Sequence, residues 1–183
     1  MDMFLGDDEK AAQFEALAMP HLDAAYNLAR WLTRNEHDAD DLVQTAYLRA
    51  FRFADSFRGG DVRAWLLTIV RNTYYTSLRD GLSRHSDVSF DEELHGDAAH
   101  DERQDSEDPA SIAARRDASR SVNQALEQLP QAFREVLVLK EMDDLSYKQI
   151  AQVTEIPIGT VMSRLARARK MLLAYLQPGM AGD

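Results

Sequence analysis

The chain has 183 residues and no cysteine, which excludes disulfides, thiolate zinc sites and cysteine nucleophiles and suits a reducing cytoplasm. Long apolar runs are also missing. The longest uncharged apolar-rich stretch, residues 64–70, falls far short of the roughly 20 residues a bilayer span needs, so membrane insertion is not expected. Positive charge is missing from the start, Met1-Asp2-Met3-Phe4-Leu5-Gly6-Asp7-Asp8-Glu9, where a signal peptide requires it. There is no HExxH helix, no Walker loop and no GxSxG elbow. His85, His95 and His100 follow no metal-ligand spacing. A soluble cytoplasmic protein without cofactor, metal or catalytic machinery is the expectation.

Acid outweighs base, with 31 Asp+Glu against 21 Lys+Arg and a net charge of −10. Taken whole, that balance disfavours nucleic acid, whose phosphates attract basic surfaces. The charge is, however, partitioned. Residues 1–9 carry four acids and no Lys or Arg, and residues 83–110 carry ten acids against two bases. The remaining blocks, 10–82 and 111–183, are neutral and slightly basic. In the acidic middle only Val88, Phe90 and Leu94 are large and apolar, too few to offset the entropy of ordering it. The expected organisation is an acidic tail at 1–9, a lobe at 10–82, an acidic linker at 83–118 and a second lobe at 119–177. With 45% apolar residues, both lobes can bury a core.

Periodicity is helical throughout, which predicts an all-α fold: three to four helices in the first lobe and four in the second. Phe14, Leu17, His21, Leu22, Ala25, Leu28, Ala29 and Leu32 mark the first helical stretch. A helix is expected over 38–53, its first turn carrying Asp38, Asp40 and Asp41 at the positive end of the dipole. Gly59-Gly60 marks a turn before a helix over 62–79. In the second lobe a helix closed by Pro130 precedes expected helices at 131–142, 147–153 and 158–176.

A short helix, a three-to-four-residue break and a longer helix make the helix-turn-helix plan. At about 100° per residue, Val161, Leu165, Ala168 and Leu172 share one stripe of the last helix. Thr160, Ser163, Arg164, Arg167 and Lys170 lie on the other side. From 159 to 176 there is no acid, so an unbroken basic face is available for phosphates and guanine edges. A solvated basic face on an ordinary amphipathic helix is the competing reading; the Ser146-Tyr147-x-x-Ile150-Ala151 start and the Ile156-Pro157-x-Gly159-Thr160-Val161 turn favour the reader. In the first lobe, seven of fifteen aromatics fall within 47–75, and residues 62–79 hold Arg63, Arg71 and Arg79 with no acid. Rings stack on unpaired bases while Arg neutralises phosphate, which suits single-stranded DNA. Trp65, Leu66, Ile69 and Val70 are expected mainly in the core.

Four motifs carry a family resemblance. They are Asp38-Ala39-Asp40-Asp41-Leu42-Val43-Gln44-Thr45-Ala46-Tyr47-Leu48-Arg49-Ala50-Phe51, Arg63-Ala64-Trp65-Leu66-Leu67-Thr68-Ile69-Val70-Arg71-Asn72, Leu129-Pro130-x-x-Phe133-Arg134-Glu135-Val136, and Gly159-Thr160-Val161-x-Ser163-Arg164-x-x-Arg167-Ala168-Arg169. In this order and spacing they resemble bacterial RNA polymerase sigma factors of the extracytoplasmic-function type, in the two-domain form. The resemblance implies that Asp38, Asp41, Leu42, Gln44 and Leu48 bind core RNA polymerase at the β′ clamp, with a further contact to the β flap. It implies −10 recognition and strand melting by Arg63, Trp65, Arg71, Asn72 and Arg79. It implies −35 recognition by Tyr147, Lys148, Thr160, Ser163, Arg164, Arg167 and Lys170. Thr45, Tyr74-Tyr75-Thr76 and Met162 depart from residues common in the family, which bears on polymerase contact and promoter preference.

An anti-sigma partner is implied too, and the acidic run 87–108 is expected either to mimic nucleic acid in the polymerase or to shield the basic lobes. The rival reading is a stand-alone helix-turn-helix regulator whose first lobe senses a ligand or dimerises. It leaves the Asp41/Gln44 face and the Arg/aromatic segment unexplained. A metal-dependent hydrolase built on His37-Asp38 is weaker still, since dipole stabilisation already accounts for those carboxylates.

Overall fold

A computed structural model describes residues 6–84 and 108–177. Residues 1–5, the three linker histidines and the linker acids 87–107, on which the mimicry and shielding expectations fall, lie outside the described residues. Among the described residues there are eight α-helices and no strand, as the periodicity predicts.

The first lobe comprises α1 (Asp7–Ala18), α2 (Leu22–Thr33), α3 (Glu36–Phe53) and α4 (Val62–Arg84). Asp7, Asp8 and Glu9, expected in an unstructured tail, form the first turn of α1, where their carboxylates suit the helix dipole. The periodic stretch read as one helix is interrupted at Met19–His21, a 3-10 turn containing Pro20, which cannot donate the hydrogen bond that continuation requires. Asn35 caps α3 by accepting from the Asp38 amide at 3.0 Å. Gly59 and Gly60 have φ of 90° and 106°, open only to glycine at low cost, and they turn the chain into α4. Asp61 caps α4 by accepting from the Ala64 amide at 2.9 Å.

The second lobe comprises α5 (Pro109–Gln128), α6 (Gln131–Leu137), α7 (Tyr147–Thr154) and α8 (Ile158–Leu176). Helix α5 begins nine residues before the end of the expected linker. Its first half is exposed all round, so no apolar stripe announces it. The helix expected over 131–142 changes pitch: α6 passes into a π-helical turn, Val138–Met142, with the Asp143 amide donating to Val138 O at 3.2 Å. Such widened turns re-aim side chains, here Asp143.

Helices α2, α3 and α4 pack on one another through Leu28, Leu32, Leu42, Leu67 and Val70. Helix α8 packs on α5, α6 and α7 through Val161, Leu165 and Ala168. Each fully buried Leu or Val contributes about 1.5–3 kcal/mol. Arg134 is buried but fully engaged. Its guanidinium donates to the carbonyls of Leu126, Glu127 and Leu129 at 3.0, 3.2 and 2.8 Å, closing the C-terminal end of α5. The two lobes share one core: α4 packs against α7, α2 against α6, and a single buried cluster runs from Ala25 to Ala168 across both.

Candidate nucleic-acid and polymerase interfaces

The helix-turn-helix is built as its sequence predicts. Ser146 and Gln149 form a reciprocal capping box at the start of α7. Glu155 then takes a left-handed conformation, φ 57°, ending α7, and Pro157 opens α8 at Ile158. On α8 the apolar stripe is buried, while Ser163, Arg167 and Lys170 are exposed and Thr160 and Arg164 half-buried. Lys148 on α7 is exposed; Tyr147 is half-buried with the Lys140 ammonium 5.5 Å from its ring centroid. Thus five hydrogen-bonding side chains line the outward side of α8 within three turns, a surface able to meet phosphates and base edges together. Arg169, in the same acid-free run, is engaged by Glu141 at 3.0 and 2.7 Å.

The α4 surface is different. Arg63 and Arg71 both reach the second lobe. Arg63 Nη1 donates to the Asp143 carbonyl at 3.0 Å, and Arg71 Nε donates to Glu135 Oε1 at 2.5 Å. The Arg71 guanidinium also stacks on the Tyr75 ring, 4.6 Å from its centroid. Trp65 packs on Phe57 with centroids 4.9 Å apart, half in the core as its sequence suggests. Asn72 and Arg79 are exposed.

On α3, Asp41, Gln44 and Leu48 form one stripe, exposed along its length, with Leu48 58% exposed. Asp38 is exposed beside it. Leu42 faces inward at 7% exposure, so it positions this surface rather than lining it. Asp41 and Gln44 border a groove whose apolar floor is Leu22, Val43 and Tyr47. An acidic and amide rim over an apolar floor suits an approaching helix with basic residues.

The sequence reading missed a third set of residues, those joining the lobes: Asn27, Asp61, Glu135, Asp143 and Gln149. Asn27 Nδ2 donates to Asp143 Oδ1 at 3.1 Å, and Gln149 Nε2 donates to Asp61 Oδ2. Burial pushes the Glu135 carboxyl up, with Arg71 opposing. Burial likewise raises Asp143, to about 6, against the pull of Asn27 and Arg63. One signal was present: Arg134-Glu135 stand inside the apolar run 133–139, and charges there demand partners.

This chain matches the family described as Sigma-70 region 2 over residues 17–84 and that described as Sigma-70, region 4 over residues 119–172. Those two domains in that order define the sigma-70 class of transcription factors. Curated relatives include the "ECF RNA polymerase sigma factor SigE" of Mycolicibacterium smegmatis, 32% identical over 93% of this chain. The chain spans 64% of that relative's length. The "RNA polymerase sigma-H factor" of Pseudomonas aeruginosa is 34% identical over 90% of this chain and 86% of its own length. Among solved structures, the sigma factor RpoE of Bartonella quintana, in complex with the anti-sigma factor NepR, aligns with a TM-score of 0.71 at 30% identity. That alignment covers 91% of this chain and 98% of RpoE. CnrH in complex with the cytosolic domain of CnrY aligns at 0.64 and 27% identity, over 92% of this chain and 90% of its own. The "ECF RNA polymerase sigma-E factor" of Escherichia coli strain K12 is 33% identical over 77% of this chain and 75% of its own length, and the chain belongs to the extracytoplasmic-function family of RNA polymerase sigma factors.

Proposed function

We propose that this alternative sigma factor divides its work among three helices. Residues 10–82 serve as the domain that binds core RNA polymerase and reads the −10 element, residues 119–177 as the domain that reads the −35 element, and 83–118 as their connection. Asp38, Asp41, Gln44 and Leu48 on α3 meet the polymerase β′ clamp, with Leu42 holding the helix in register. Arg63, Trp65, Arg71, Asn72 and Arg79 on α4 engage the non-template strand as it leaves the duplex, where base stacking and phosphate neutralisation replace pairing. Thr160, Ser163, Arg164, Arg167 and Lys170 on α8, with Tyr147 and Lys148 on α7, enter the −35 major groove. The second domain also touches the β flap.

Bond-making chemistry belongs to the polymerase and not to this chain, and no described helix is long and apolar enough to cross a membrane. Both features suit a factor acting in the cytoplasm. An anti-sigma factor is the natural regulator, since a structural relative at 30% identity was solved with such a partner.

The observation that carries this reading is the acid-free, outward basic face of α8 in helix-turn-helix geometry, joined in one chain to the Arg/aromatic helix α4. Reconstitution with core polymerase tests it. The expected result is discrete, promoter-specific transcripts from linear DNA that core polymerase alone does not make. Binding to duplex DNA without any transcript would instead favour a stand-alone regulator.

A further inference from the structure

The outward side of α8 carries an apolar row beside its hydrogen-bonding residues. Met162 is 52% exposed, between Val161 in the core and Ser163 on the outward side. Ile158, one turn before it, is 46% exposed, and Ala166, one turn after it, is exposed as well. At about 100° per residue these three run along one shoulder of the helix. Arg164 stands on the other shoulder, with Ser163, Arg167 and Lys170 between. A single exposed apolar side chain calls for no explanation. This row, however, adjoins the hydrogen-bonding face and occupies the first three turns, the part of a reading helix that meets base edges. We infer that Met162, with Ala166 beside it, determines specificity for thymine by packing on C5-methyl groups of the −35 element. This rests on the −35 role proposed for α8.

The chemistry of the two side chains selects the base. Alanine has no polar side-chain atom, and the methionine sulfur is only a weak acceptor. In the major groove guanine shows N7 and O6, cytosine its N4 amine and adenine N7 and its N6 amine, whereas thymine alone adds a methyl group. Guanine, cytosine or adenine edges set against Met162 lose water without gaining a partner, while a thymine methyl gains apolar contact. Methionine suits the task because its unbranched, polarisable chain adapts to the shape it meets. Ser163 supports the same base pair. Its hydroxyl donates to the Thr160 carbonyl at 3.1 Å, so it meets a base edge through its lone pairs, as an acceptor for an adenine N6 amine. An acceptor next to an apolar group matches the major-groove edge of an A·T pair. Met162 and Ala166 lie about 6 Å apart along the helix axis, against about 3.4 Å per base step, so the row can cover two neighbouring thymines.

The core does not depend on Met162, since Val161, Leu165 and Ala168 form the buried stripe of α8. Substitutions there therefore probe reading rather than folding. Holoenzyme reconstituted from core polymerase and the full chain first selects binding sites from promoter duplexes randomised at −35 and −10. Each thymine of the selected −35 site is then replaced by deoxyuridine, which keeps every hydrogen-bonding group and lacks only the methyl. At one or two thymines this should weaken wild-type binding about fourfold each, the effect of uncovering one methyl. At one of them Met162→Ala should no longer distinguish thymine from deoxyuridine, and should bind the thymine duplex about fourfold more weakly than wild type does. Met162→Leu, still apolar and of similar size, should keep the distinction.

A selected site in which no thymine methyl matters to the wild type overturns the inference. So does a deoxyuridine cost that is the same in Met162→Ala at every thymine, because the methyl would then act through the shape of the DNA. Arg167→Ala tests the underlying reading separately. If that variant binds the selected duplex as tightly as wild type, the −35 assignment of α8 fails; if it binds weakly while deoxyuridine costs nothing, the thymine contact alone fails.

Discussion

Helices α4 and α8 are written in the same sequence grammar and sit in opposite surroundings. Each has a long acid-free run, 62–79 and 159–176, with three or four cations spaced along it. Helix α8 packs on α5, α6 and α7 through one stripe and leaves Ser163, Arg167 and Lys170 exposed on its other side. Helix α4 packs on α2 and α3 of its own lobe and also on α7 of the second. An acid-free basic helix therefore declares what it can bind, while packing decides whether the surface is on offer. Two alanine variants of the free protein sharpen this contrast most. Arg167→Ala on the exposed face should weaken binding to duplex containing a cognate −35 element about tenfold or more, the loss of one bidentate base contact of about 1–3 kcal/mol. Arg71→Ala should cause no such loss of the free protein's affinity for single-stranded DNA, because Glu135 already occupies the guanidinium and its removal loosens the contact between the lobes. In the holoenzyme both should depress promoter-dependent transcription. Equal losses in the free protein, measured by fluorescence anisotropy, would break the comparison.

Proton linkage gives the next effect. Asp143 is harder to ionise with the two lobes packed together (the closed arrangement), where burial raises it to about 6 from an ordinary 3.8, than once the lobes part and expose it. The groups facing it are the Asn27 amide from α2 and the Arg63 guanidinium from α4. Closing therefore takes up a proton. The closed fraction rises as pH falls through 6 and levels off below about 4. If opening restores the ordinary value, the closing constant should increase about tenfold between pH 7 and pH 5. Paired labels on the two lobes read this directly. Glu135, raised by its own burial, pushes in the same direction, and Asp143→Asn isolates the larger part. A variant that keeps the whole pH dependence would move the switch away from Asp143.

Sequence legibility followed the range of the forces involved. Helix α8 occupies Ile158–Leu176, the bounds its periodicity predicts, because stripe, turn and end are all local signals. The first half of α5 was hidden for the converse reason. Ala110, Ala113 and Ala114 favour helix, but residues 109–121 are exposed and carry no periodic apolar pattern to read. Asp7–Glu9 looked like tail composition, and the cooperative formation of α1 behind them made them a first turn. Among site residues, the α8 face and the Asp41, Gln44 and Leu48 stripe could be read from spacing within one helix. The ties of Arg71 to Glu135 and of Asn27 to Asp143 join residues 64 and 116 positions apart, and no local period encodes such pairs. The π-helical turn that aims Asp143 is equally silent in composition.

The smallest effect tests whether α8 is as open as the comparison makes it. Arg169 belongs to its acid-free run yet is held by Glu141, across an exposed pair whose side chains are 46% and 54% accessible. The hydrogen bond to Glu141 is the main reason the guanidinium is held above its usual range. At such exposure solvent screens most of the attraction, so Glu141→Gln should cost less than about 1 kcal/mol in chemical denaturation. The released guanidinium gains the choice of a phosphate. If it takes one, duplex affinity should rise by no more than about threefold, and the slope of log affinity against log salt should steepen by about one unit. A steeper slope with little change in stability would mean that even the exposed reader holds one cation in reserve, by a weaker version of the pairing that closes α4. An unchanged slope would confine Arg169 to its lobe and leave Arg164, Arg167 and Lys170, with Lys148 on α7, as the cations that set the salt dependence of the −35 contact.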